Sequence, residues 1–115
     1  MNEIKKISKL TDEMVTFYME RKADQISVQI TQTKEGTHIA THARNVNISE
    51  RELKRICENI NKQNRLAEME EYYWTLAGEG SSSIALSLVA IMVDSAEVAF
   101  RKDNNIVEIN LFRKK

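Results

Sequence analysis

Proline is absent from the 115 residues, glycine occurs three times and cysteine once. No repeat and no low-complexity linker interrupts the chain, so residues 1–115 read as one domain, long enough to enclose a core. The lone Cys57 excludes an internal disulfide and a cysteine-based metal cluster, and points to a reduced, cytoplasmic setting. An excess of one charge is lacking too: 17 Lys and Arg balance 17 Asp and Glu. Neither a nucleic-acid backbone nor an anionic membrane is therefore an expected partner. The basic pieces, Lys5-Lys6 and Arg113-Lys114-Lys115, stand near the ends, where such residues are ordinarily solvated. The longest apolar run, Ile84 to Val93, falls short of the roughly 20 residues that cross a bilayer. The first ten residues, MNEIKKISKL, lack the apolar stretch of a signal peptide.

Periodicity is what the chain does have. Ile4, Ile7, Leu10, Met14 and Phe17 recur at steps of three and four, which predicts an amphipathic helix from Asn2 to about Lys22. Ile26, Val28 and Ile30 alternate with polar residues, a Lys34-Glu35-Gly36 turn follows, and a second extended segment runs through Ile39. Ser49, with Glu52 three residues on, reads as a reciprocal cap for a helix whose apolar face is Leu53, Ile56, Cys57 and Ile60. On that face the thiol serves as a small hydrophobe. Residues 61–77 have a looser, partly helical pattern. The stretch from about Ser82 to Asp94 is apolar nearly all round, as in a helix buried on several sides. A second hairpin turns at Asp103-Asn104-Asn105, with Val107, Ile109 and Leu111 alternating after it. This order predicts an α+β fold, a two-layer α/β sandwich. Its mostly antiparallel sheet of about four strands carries helices on one face, and the open face invites a partner.

Several strings carry a resemblance. EMVTFYMERKADQISVQI is similar to the helix E-L-V-x-N-A-x-K-H-A and following strand of the histidine-kinase-type (GHKL) ATPase superfamily, which includes sensor kinases, anti-sigma-factor kinases and gyrase. NISERELKRICE resembles the segment after that family's first glycine box, and GEGSSSIALSLVAIMVDSAEVAFRKDNNIVEINLF resembles the second glycine box with its helix and terminal hairpin. The resemblance implies a histidine-kinase ATPase-like domain that lacks the usual N-terminal strand and helix, which leaves a sheet edge exposed and makes self-association or a partner strand an expectation.

In that family an Asn on the helix holds the magnesium on the ATP phosphates, and an Asp in D-x-G-x-G accepts from the adenine amino group. The matching positions here are Phe17 and Ala43. Phe17 has no oxygen for a magnesium ion, and Ala43 accepts no hydrogen bond. Asn45 and Asn47 stand in place of the two glycines of that box. Glu13 matches the water-activating carboxylate, but without metal and phosphate it has nothing to act on and reads as a solvated helix residue. Two readings remain for Gly78, Gly80, Ser81, Ser82 and Ser83: a residual phosphate loop at a helix start, or an ordinary serine-capped helix. Tyr72, Tyr73 and Trp74 are either a protein-contact patch or a cover over the vacant cleft. His38 and His42 can share one side of a strand, too few ligands for a firm metal site.

These features favour a non-catalytic regulatory or scaffold domain that acts through protein contacts or as a homo-oligomer, with no cofactor. The alternative is a small anti-sigma-type regulator or protein kinase that binds ATP and magnesium in an altered cleft, with Glu13 catalytic.

Overall fold

The computed structural model describes residues 2–62 and 82–115. Along them run α1 (Glu3–Glu20), β1 (Gln25–Gln32), β2 (Gly36–Arg44), α2 (Glu50–Lys62), α3 (Ser82–Met92), β3 (Ser95–Arg101) and β4 (Ile106–Lys114). The strands form an antiparallel sheet in the order β1-β2-β4-β3. The fold is α+β, with an open four-stranded sheet and, among the described residues, three helices.

Local chemistry explains where the helices begin. The side-chain oxygen of Asn2 accepts from the Lys5 amide at 2.9 Å, which satisfies one of the free N–H groups at the start of α1, and Glu3 adds a negative charge where the helix dipole favours it. Ser49 caps α2 in the same way, accepting from the Glu52 amide at 3.1 Å. The reciprocal half expected of Glu52 is replaced by an ion pair: its carboxylate lies 3.5 Å from Arg21 and ties α2 to the end of α1.

α1 buries Ile7, Leu10, Met14, Phe17 and Tyr18, as its period requires. It packs on α3, which also meets α2, and α2 covers β3. The six residues from Leu88 to Val93 are all buried, so the C-terminal part of α3 is enclosed on every side.

Alternation sorts the strands. Ile39, Thr41 and Ala43 of β2 and Val107, Ile109 and Leu111 of β4 point into the core, in facing rows. β2 runs through Ile39, as expected, and ends at Arg44. Within the core, Thr41 donates to the Ile109 carbonyl at 2.6 Å, so the Tyr18 hydroxyl, 2.7 Å away, donates to Thr41 in turn. Burial pushes the Tyr18 hydroxyl above its ordinary pKa, which keeps it a neutral donor. At the head of β2, a Cβ on Gly36 would meet the Arg113 carbonyl oxygen and come within 2.9 Å of the Lys114 Cα, so only glycine fits the close approach to β4.

Arg113 corrects the reading of the C-terminal cations as solvated. It is 1% exposed, because it has the same strand parity as Val107, Ile109 and Leu111. Its guanidinium donates twice to the Glu3 carboxylate, at 2.7 and 3.1 Å, and once to the Met92 carbonyl at 2.6 Å. One side chain thus joins the first turn of α1, the last turn of α3 and the end of β4.

Candidate functional site

Of the residues likened above to the ATPase boxes, Glu13 and Phe17 lie on the C-terminal half of α1, Ala43 near the end of β2, and Asn45 and Asn47 just beyond it. Phe17 is wholly buried and edge-on to Tyr18, with ring centroids 5.5 Å apart. The Arg21 guanidinium lies 4.1 Å from the Phe17 ring centre, a cation–π contact that closes the outer side of the ring. Ala43 is also wholly buried, between Ile26 of β1 and Val107 of β4 in the register of the sheet. Both positions offer carbon surface to the core.

Asn45 has a positive φ of 60°, a conformation that glycine adopts freely and asparagine tolerates better than other residues. Its side chain donates to Asp24 at 2.6 Å and accepts from Asn105 at 3.2 Å, while its amide donates to the Asn105 carbonyl. Arg44 donates to the same Asp24 carboxylate at 3.2 Å. The hydrogen bonds from Asn45 and Arg44 hold the Asp24 carboxyl below its ordinary pKa. The two asparagines therefore join the ends of the two hairpins. Asn47 meets the end of α1, its amide donating to the Arg21 carbonyl at 2.8 Å.

Glu13 is not the solvated residue expected from sequence. It is buried, and Lys9, one turn earlier, lies 2.9 Å from its carboxylate. The i, i+4 spacing of Lys9 and Glu13 signals that pairing in the sequence.

The sheet face away from the helices is chiefly polar. His42 is flanked there by Ser27 and Glu108, and His38 by Thr31 and Phe112. The His38 and Phe112 rings stack at a tilt, with centroids 4.7 Å apart. The two histidines do share that face, separated by Ala40. Among the described residues, no three His, Cys, Asp or Glu side chains stand together as a metal site.

Cys57 faces β3, its thiol 3.4 Å from the Ala96 carbonyl oxygen. Asn61, a contact that sequence reasoning missed, satisfies the backbone of Ala96 twice, donating to its carbonyl and accepting from its amide, both at 2.9 Å. Burial, outweighing the hydrogen bond from Asn61, raises the thiol pKa above its ordinary value. A raised pKa means less thiolate at any pH below it. Alkylation by iodoacetamide at pH 8 is therefore expected to run several-fold slower in the folded protein than in urea, and to accelerate as pH rises. Equal rates in the two states would remove the argument for an inert thiol.

Gly78, Gly80 and Ser81, and the aromatic cluster Tyr72, Tyr73 and Trp74, lie outside the described residues. Ser82 and Ser83 belong to the first turn of α3. Among the described residues, no helix is long and apolar enough to cross a membrane. Comparison with protein-family models, curated proteins and solved structures gives no match to any of them.

Proposed function

We propose that the chain is a non-catalytic regulatory or scaffold domain, built like a histidine-kinase-type ATPase, working in the cytoplasm through protein contacts and without a nucleotide. One observation carries this reading: the two positions where the ATPase family keeps a metal-holding Asn and a purine-reading Asp are occupied by Phe17 and Ala43, both wholly buried. A magnesium ion needs oxygen ligands, and a buried aromatic ring supplies none. Loss of one charge-assisted hydrogen bond alone costs about 1.5–3 kcal/mol, or roughly ten- to a hundredfold in affinity.

The neighbouring residues support a structural role in place of a catalytic one. Glu13 is neutralised by Lys9 and buried, so it is poorly placed to activate water. Asn45 uses its amide to hold Asp24 and Asn105. No observation on the described residues favours the kinase alternative over this reading.

Thermal melts with and without millimolar Mg-ATP test it. The expected result is an unchanged melting temperature, because a ligand stabilises only the state it binds. Saturable magnesium-dependent heat in a calorimetric titration with ATP would overturn the proposal.

A further inference from the structure

We infer that the chain pairs with a second copy of itself along the free edge of β1, forming one continuous antiparallel sheet through the dimer. The inference stands on backbone hydrogen bonding and is independent of the nucleotide question. β1 and β3 are the outer strands, and they are protected differently. β3 carries Glu97 and Arg101, and Asn61 from α2 satisfies both backbone groups of Ala96. β1, QISVQITQ, has eight residues with no charge, proline or glycine. Among the described residues, such a strand has none of the charges, prolines or covering clasps that ordinarily prevent edge-to-edge pairing.

The register determines which groups are free. The Thr33 amide donates to the Gly36 carbonyl at 2.8 Å, continuing the ladder in which Gln32 faces Thr37. Antiparallel ladders alternate, so Thr31, Gln29, Ser27 and Gln25 turn their backbone groups toward β2. Ile26, Val28, Ile30 and Gln32 turn theirs outward.

A two-fold axis perpendicular to the sheet keeps each face on its own side, so facing residues from the two copies must have the same parity. With Gln29 facing Gln29 of the second copy, Ile26 faces Gln32 and Val28 faces Ile30. All four outward residues are then paired, giving about eight hydrogen bonds. Ile30, 45% exposed in one chain, is covered by Val28 of the second copy. Charge agrees with this register, which sets Asp24 opposite Lys34 at both ends. Centring on Val28 instead leaves Gln32 opposite Asp24, whose amide is already bonded to the Arg44 carbonyl, and sets Lys22 opposite Lys34.

Sedimentation velocity over a range of protein concentrations tests the pairing. Wild type is expected to dimerise with rising concentration. Ile30→Pro removes an N–H that β2 does not use, and Ile30→Lys places a charge at the edge. Each is expected to keep the wild-type circular dichroism and raise the dissociation constant at least tenfold. In a Cys57→Ala background, Gln29→Cys is expected to form a disulfide dimer on mild oxidation, since facing Cβ atoms of a non-hydrogen-bonded pair lie about 4.5–5.5 Å apart. Val28→Cys is expected to stay uncrosslinked. A monomer at every concentration, a dimer unaffected by both Ile30 variants, or crosslinking through position 28 in place of 29 would each overturn the inference.

Discussion

Arg113→Ala is expected to lower the stability of the fold by about 2–4 kcal/mol, and the melting temperature by roughly 10–20 °C. The side chain is 1% exposed and fills the space between α1, α3 and β4, so truncation leaves a cavity where the aliphatic stem lay. It also strips the Met92 carbonyl of a 2.6 Å hydrogen bond at the end of a helix whose last carbonyls have no intrahelical donor. The Glu3 carboxylate is released as well, at smaller cost, because it is half-exposed and can return to water. Arg113→Met separates these contributions. It keeps the stem and loses the charge; the half-exposed Glu3 can be rehydrated, but the Met92 carbonyl still loses its donor, so about 1–2 kcal/mol is expected. Urea unfolding of the three proteins should rank wild type, then Arg113→Met, then Arg113→Ala. If the methionine variant proves as unstable as the alanine one, the polar bonds outweigh the packing.

Arg113 also shows how much of the fold was legible in the sequence. Spacing of three and four marked α1, alternation marked the hairpins, and the apolar run marked α3, because each reports a single element meeting one core. Those signals suffice for the α+β layering. Burial of Arg113 had a sequence signal that composition at the C-terminus obscured: it continues the inward parity of Val107, Ile109 and Leu111. Glu13 was misplaced for a different reason. It flanks the apolar stripe of α1, and only the tertiary packing decides whether such a position meets solvent; the i, i+4 Lys9 was the available clue. The clasp of Asn61 on Ala96 links residues 35 apart in sequence and has no local signature. Asn45 is intermediate, since asparagine in a position suited to glycine suggests a left-handed backbone, yet its bonds to Asp24 and Asn105 follow only once the hairpin ends are adjacent.

The candidate site is harder to read than the fold, because a side chain unfit for one chemistry does not say what it does instead. Phe17→Asn addresses this directly. Placing an amide at this position of α1 is expected to cost about 4 kcal/mol: burial of a phenyl ring is lost, a cavity opens beside Tyr18, and the amide must find partners among carbon atoms. For a domain whose total stability is typically 5–15 kcal/mol, that is a large share. Arg21 loses its ring contact as well, which loosens its ion pair with Glu52 between α1 and α2. The proposed scaffold role makes a second demand on the same variant. With Ala43 still unable to receive the purine amino group, Mg-ATP should not restore the lost stability at any concentration, and the melt should remain depressed. Should Mg-ATP raise the melting temperature of Phe17→Asn, the proposal of a domain without a nucleotide would fail, and one side chain would be all that separates this chain from nucleotide binding.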